Sequence, residues 1–395
     1  MFKRIKTESL GPPDWVLAGA VLGLVGLGVM MVYSSSSEIG YRLYDDAGYF
    51  FKRQLVFALA GLAAMTVVAR MHYKHWTKLS IPVMVVTLIL LTILAVDDRG
   101  RQLFGDSVSP VELAKLATVI YIGHWLSTRG DQLTKAAYGL LPFTIMVGIL
   151  AGLVMAQSDP DLSEALIIIA VAGLMFFLAG ADLKQYTIGL AGGAASFYLV
   201  ASQLRHADER LESFLGVLRD PMGSDIDQLK QGIRALGSGG ILGRGIGLGR
   251  IKFSWLPVAH TDSIFAVIGE ELGLLGCLLV IGLLALIVTR GLRIAFLAPD
   301  AFSRMLAVGV SCWIGFQSLL NLTVVTGLVP FTGSALPFVS LGGSSLTALL
   351  VGVGLMLSIS RTLDISEEAA VEAGSIRRRD RRSRLSRSDR HTSPA

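Results

Sequence analysis

The sequence predicts an all-α polytopic membrane protein of ten transmembrane helices, with both termini cytoplasmic and a long extracytoplasmic loop between helices 7 and 8. Three observations carry that expectation. Of 395 residues, 52% are hydrophobic and only 16% charged, where an ordinary soluble domain is about 25% charged. Apolar stretches recur at roughly twenty residues, the length a helix needs to cross the hydrocarbon core with its backbone groups satisfied internally. Finally, Lys and Arg concentrate in alternate connections, which sets the sides of the membrane.

Taken in order, the expected spans are 15–35, 52–71, 77–96, 109–127, 137–156, 162–181, 184–204, 263–289, 302–326 and 336–360. Lys3, Arg4 and Lys6 precede the first, but its apolar stretch exceeds the roughly 7–15 residues of a signal-peptide core, so it reads as uncleaved. The fourth and sixth spans are unusual in opening with charge: Glu112 and Lys115 in one, Asp161 and Glu164 in the other. Arg70, Lys74, Lys78, Arg129, Lys135, Lys184, Arg290, Arg293, Arg304 and Arg361 all fall on the side of the N-terminus, which is therefore cytoplasmic. The other side carries Asp45, Asp46, Asp97, Asp98, Asp106, Asp159 and Asp161, and the long segment 205–262. A membrane domain thus spans 1–366, and the Arg- and Ser-rich tail 367–395 is expected to be disordered and drawn to anionic lipid. Cys277 and Cys312 lie inside apolar runs, which argues against a disulfide or a thiolate metal site.

The long loop is not low in complexity. It holds an amphipathic helix over Asp225 to Leu236, including Gln231, and then the glycines Gly237, Gly239, Gly240, Gly243, Gly245, Gly247 and Gly249. No strand precedes those glycines, so a nucleotide fingerprint is a poor reading. With Arg234, Arg244, Arg250 and Lys252 interleaved, they suit either a tight loop or a backbone cradle for a phosphate-bearing head group.

"LPVAHTDSIFAVIGEELG", 256–273, sets His260, Thr261 and Asp262 at the mouth of an apolar helix, with Glu270 and Glu271 further in. Asp262 is either a plain helix cap or a partly desolvated base able to take a proton from a substrate hydroxyl. Glu270 lies about 12 Å deeper at 1.5 Å per residue, and at least one of the two glutamates should line a polar cavity or meet a cation. Glu112 and Lys115, three apart on one helix face, are either a salt bridge between helices or part of a shared outer cavity, as are Asp161 and Glu164. In "GLVPFTGSALPFVSLGGSSLTALL", 327–350, prolines and the Gly342-Gly343-Ser344-Ser345 turn interrupt an apolar stretch, which a membrane tolerates where the broken backbone faces protein or a cavity. Gln317 and Asn321, four apart on the preceding helix, should face that same interior.

"MVYSSSS" (31–37), "YFFKRQL" (49–55), "VELAKL" (111–116), "PDLSEAL" (160–166), "GSGGILGRGIG" (237–247), the 256–273 stretch and "PFTGSALPFVSLGGSS" (330–345) resemble the SEDS family of peptidoglycan glycosyltransferases, in family order over nearly the whole chain. The resemblance is closest to the cell-division members, with the elongation members as the near alternative. It implies a ten-helix enzyme of the bacterial cytoplasmic membrane that polymerises lipid II, a disaccharide-pentapeptide on undecaprenyl pyrophosphate, at the outer face. Implied partners are lipid II, the undecaprenyl-pyrophosphate-linked glycan, a class B penicillin-binding protein and other division proteins; nucleic acid is not among them. Asp262 matches the essential aspartate proposed to deprotonate the acceptor sugar, and Lys115 a functionally important lysine. A divalent cation (Mg or Mn) is associated with the activity, though no residues here spell out its site.

Chain extension needs a base and positive charge for the departing pyrophosphate. Asp262 would supply the first; Lys115, Arg101, Arg210 and Arg244 or Arg250 the second, with Glu112, His260, Thr261, Gln231, Ser344 and Ser345 as further substrate-facing groups. Departures from the family pattern are Leu103 for a common tryptophan, Val258 for a glutamate, Leu341 for a tyrosine and Glu164 for a threonine. Competing expectations are a lipid-precursor flippase, since buried charges and broken helices also mark transport sites, and a non-catalytic scaffold.

Overall fold

The computed structural model describes residues 11–96, 109–157, 162–201, 214–215, 228–250, 261–330 and 333–363. A helix stands on each of the ten apolar stretches. These are α1 (Trp15–Tyr44), α2 (Tyr49–Arg70), α3 (His75–Val96), α4 (Pro110–Arg129), α5 (Leu140–Met155), α6 (Leu162–Leu178) and α7 (Leu183–Ala201), then the short α8 (Gln228–Ser238) in the long loop, and α9 (Ile264–Leu297), α10 (Ala301–Val325) and α11 (Gly343–Leu363). Among the described residues there is no strand. Six helices, α1, α2, α3, α9, α10 and α11, have the length and apolar composition to cross a membrane, and α5 and α6 are shorter apolar helices.

Three ends differ from the expected spans by seven residues or more. α1 continues to Tyr44 because its serines do not need water: Ser35 Oγ donates to the Met31 carbonyl at 2.8 Å and Ser36 Oγ to Val32 at 2.6 Å, so hydroxyls that lower the hydropathy leave the helix intact. α9 runs on to Leu297, with its basic last turns still helical. The last helix starts at Gly343, seven residues late, because Ala335–Leu341 turns inside the bundle with Phe338 at φ 65. α8 starts at Gln228 and ends at Ser238, and the expected residues 225–227 lie outside the described ones.

α10 is the central post. It packs on α9, α4, α6 and α8, while α1 lies on α2 and α9. Its Trp313 and Ile314 are fully buried, as are Ile120 of α4 and Met175 of α6. A second apolar cluster joins α3, α4, α5 and α6 through Met84, Leu91, Ala114, Leu150 and Ile168.

The turn between α9 and α10 is built from polar contacts. Asp300 caps α10 by accepting the Ser303 N–H at 2.9 Å, and Ser303 Oγ reaches back to the Asp300 N–H at 3.3 Å, a reciprocal capping box. Tyr73, from the α2–α3 turn, donates its hydroxyl to Asp300 Oδ2 at 2.6 Å. Burial opposes ionisation of Asp300, but the Ser303 N–H and the two hydroxyls outweigh it and hold its carboxyl below the usual value. A depressed carboxyl stabilises the fold above the ordinary Asp range and ceases to do so as pH falls through its folded value. Asp300→Ala is expected to cost about 1 kcal/mol, typical of a lost cap, read as a lower melting temperature at neutral pH. The gap from wild type should close as pH falls below the ordinary Asp range.

Candidate functional site

The buried charge centres on Lys115. Its Nζ lies 2.8 Å from Glu112 Oε2, one turn back on α4, and 2.7 Å from Glu164 Oε2 on α6, with ion-pair rather than well-aligned hydrogen-bond geometry. It also donates to Gln317 Oε1 of α10 at 3.2 Å and sits 5.6 Å from the centre of the Trp313 ring. Trp313 Nε1 donates to the same Gln317 oxygen at 2.8 Å. Three oxygens surround an ammonium with three protons, and the side chain is 1% exposed. Lys115 is therefore enclosed by protein oxygens and shut off from solvent. As placed here Lys115 and Glu112 join α4 to α6 and α10, the salt-bridge form of the two readings their spacing left open.

From that cluster α10 reaches the mouth of α9. Gln317 Nε2 donates to the Ala335 carbonyl at 2.9 Å. One turn on, Asn321 Nδ2 donates to the backbone carbonyls of Asp262 at 2.9 Å and Ser334 at 2.5 Å. Ser340 Oγ donates to the Thr261 carbonyl at 2.6 Å and accepts the Leu336 N–H at 2.8 Å, while Gln54 of α2 holds the Ser340 carbonyl at 3.2 Å and the Gly342 N–H at 3.3 Å. The interrupted segment is thus stitched to α2, α9 and α10 by side chains that satisfy its non-helical backbone.

Asp262 is half-buried, and the N-cap position of α9 belongs to Ser263. The aspartate accordingly stands one residue outside the helix, not at its cap. Its carboxylate faces Gly333, where a Cβ would come within 3.3 Å of Oδ2. Asn321 Oδ1 and Ser334 Oγ are buried nearby without hydrogen-bond partners among the described residues.

The glycine run turns tightly, one of its two expected forms, with Gly240, Gly243, Gly245 and Gly247 at positive φ. α9 breaks at Gly273 (φ 67, ψ −164), and the run folds onto the break: Arg244 N–H donates to the Glu270 carbonyl at 3.0 Å, Gly245 N–H to that of Glu271 at 2.9 Å, and the N–H groups of Leu274 and Leu275 reach back to Gly240 and Ile241 at 2.9 and 3.2 Å. Glu270 accepts the Arg250 N–H at 2.8 Å and has Arg244 Nη1 at 3.7 Å; Glu271 accepts the Gly247 N–H at 3.0 Å and Ser34 Oγ at 2.7 Å. Both glutamates are fully buried. The glycines do form an anion cradle, and the protein's own carboxylates fill it. Arg244 and Arg250 belong to that cradle first.

Of the remaining expected site residues, Thr261 is half-buried beside Asp262, and Gln231 is buried on α8. Ser344 Oγ accepts the Ser109 N–H at 3.2 Å, tying α11 to the start of α4, and Ser345 is half-buried next to it. Arg101, Arg210, His260 and Asp161 lie outside the described residues, as do Leu103, Val258 and the tail 367–395. Sequence reasoning missed Gln54, Trp313, Ser334 and Ser340. Gln54 offered one signal, a lone amide on an apolar helix. Among the described residues no His, Cys, Asp or Glu group is arranged for a metal ion. Glu112, Glu164, Glu270 and Glu271 already have protein partners, so the described residues do not fit a divalent cation and no chemistry is routed through one.

An all-helical, multi-pass membrane protein with a buried ionic cluster beneath a half-buried aspartate at one bundle end is the class these features define. The chain belongs to the FtsW/RodA/SpoVE family of cell cycle proteins, whose family model matches residues 15–365. A probable peptidoglycan glycosyltransferase FtsW of Trichlorobacter lovleyi is 38% identical over 370 residues, covering 91% of this chain and 96% of that protein. The stage V sporulation protein E of Bacillus subtilis is 36% identical over 358 residues, 88% of this chain and 97% of that one. Among solved structures, a chain from a study of polymerization and crosslinking by a peptidoglycan synthase complex matches with TM-score 0.70 at 27% identity, over 89% of this chain and 98% of that one. The rod shape determining protein RodA of Thermus thermophilus matches with TM-score 0.62 at 25% identity, over 88% and 97%.

Lys115→Ala strands two buried carboxylates and should destabilise the protein by about 3–5 kcal/mol, visible as a large drop in the detergent-solubilised melting temperature. Gly243 has φ +79 and packs on the Glu271 carbonyl, where a side chain would clash. Gly243→Ala should cost at least about 1 kcal/mol from the left-handed backbone alone. Hydrogen exchange at Gly247 and Arg250 should then rise while α10 stays protected.

Proposed function

We propose that this chain is a peptidoglycan glycosyltransferase that polymerises lipid II at the outer face of the bacterial cytoplasmic membrane during division. In this reading all ten long helices span the membrane, both termini are cytoplasmic, the Asp262 end faces out, and 367–395 is a basic cytoplasmic tail. The family, the FtsW name of the similar proteins and their coverage of the full bundle support it.

Asp262 acts as the base. Its carboxylate takes the proton of the acceptor sugar hydroxyl as that oxygen bonds to the donor's anomeric carbon, and the bond from that carbon to the pyrophosphate breaks, with the electron pair leaving on the lipid diphosphate. The observation that carries this role is the clamp on the aspartate: Asn321 and Ser340 hold the backbone of 261–262, leaving the carboxylate half-buried over a glycine. Such a group has a fixed backbone and a partly desolvated carboxylate, which suits a general base. The diphosphate's charge is met by arginines of the outer loops, Arg101, Arg210, and Arg250, whose backbone alone enters the cradle, or Arg244 where its side chain leaves it. Lys115 is a positioning residue that acts through Gln317 and the 333–342 segment.

The partner is a class B penicillin-binding protein. The similar chain from a peptidoglycan synthase complex that coordinates polymerization and crosslinking supports that pairing.

The test is glycan polymer formed from lipid II by the purified chain with its transpeptidase. Asp262→Asn should lose on the order of 100-fold or more, the scale of a lost general base, with the melting temperature unchanged. Wild-type polymer from that variant would refute the assignment.

A further inference from the structure

α9 begins beside Asp262 and reaches Arg290 after roughly 40 Å at 1.5 Å per residue, so the far ends of α1, α9 and α11 meet at the opposite membrane interface. Between them lies a cavity of about 340 Å³, lined by Pro12, Asp14, Trp15, Arg290, Arg293 and Leu297 with their neighbours. Its walls are pinned. The Gly11 N–H donates to the Arg361 carbonyl at 2.9 Å, Arg361 Nε donates back to the Gly11 carbonyl at 2.9 Å, and the Asp14 N–H donates to Ser360 Oγ at 3.2 Å.

Two prolines in one wall offer no N–H groups, so an anion there must be met by side chains. Asp14 spends Oδ1 on the Val16 and Leu17 N–H groups and touches Arg290 only through Oδ2, at 3.6 Å. Arg290 keeps most of its donors, and Arg293 is exposed with no ion pair or hydrogen bond among the described residues. Apart from Ser360, the rest of the rim is apolar, with Trp15 72% exposed and Leu297 55%. Exposed tryptophan at the end of an apolar helix is the usual mark of the interfacial layer. A free phosphate would use the arginines and leave the apolar rim in water. An acidic phospholipid uses both.

We propose that this cavity binds an anionic phospholipid, with its phosphate on Arg290 and Arg293 and an acyl chain along Leu297 and Trp15. The site is independent of the Asp262 end and of the glycosyltransferase assignment.

The test is native mass spectrometry of the full detergent-purified chain titrated with phosphatidylglycerol, comparing wild type with Arg293→Gln, and repeated with phosphatidylcholine and with inorganic phosphate as competitor. Arg293 is exposed and unpaired, so its loss leaves the fold intact. Both forms carry the same basic tail, so their difference reports the cavity. The variant should bind its first phosphatidylglycerol roughly tenfold more weakly, the effect of one lost charge-assisted hydrogen bond. Phosphatidylcholine binding should not change, and millimolar phosphate should leave the lipid bound. Leu297→Asn should weaken the same lipid without touching the charges. Equal phosphatidylglycerol affinity in wild type and Arg293→Gln, or release of the lipid by phosphate alone, would overturn the proposal.

Discussion

A charge held away from water must be answered by the protein, and in this bundle the answer to Lys115 organises one whole end. Desolvating an ammonium and two carboxylates is costly unless they meet each other and their remaining polar atoms are satisfied. Glu112, Glu164 and Gln317 come from three helices, so meeting that requirement fixes α4, α6 and α10 against one another. The same Gln317 continues to Ala335, and its neighbour one turn on, Asn321, continues to Ser334 and Asp262. A buried electrostatic constraint is thereby converted into the position of a half-buried acid.

The break in α9 obeys the same rule by other means. Two consecutive glutamates cannot lie on one helix face, and a continuous helix would turn one of them toward lipid. Gly273 interrupts the helix, and the glycine run brings a backbone N–H to each carboxylate and the Arg244 guanidinium to Glu270. Ser34 closes the shell from α1, which is one reason a serine-rich stretch continues that helix.

How much of this was legible follows from the range of each signal. Helices on the ten stretches were readable because apolar length is a local property. Charges at the starts of α4 and α6 announced a polar interior for the same reason: lipid tolerates them nowhere else. The partner of each charge was not readable. Glu164 and Gln317 meet Lys115 across long stretches of chain, and no local pattern encodes such a contact. The glycines pointed correctly to an anion cradle, but glutamates two dozen residues away, brought in by the kink at Gly273, supply the anions. The late start of α11 was hidden because Phe338 adopts a backbone that only its packing enforces, with its carbonyl against Gly28 of α1.

If Lys115 acts by holding helices together, an uncharged filling of the same space should do part of its work. The most direct test replaces the whole trio at once, Glu112→Leu, Lys115→Met and Glu164→Leu, since buried ion clusters are often exchanged for well-packed apolar groups without loss of stability. This triple variant should melt near wild type and still form glycan polymer from lipid II, with its substrate KM little changed. A triple variant that melts like wild type yet makes no polymer would contradict it, because Lys115 would then have to touch the substrate.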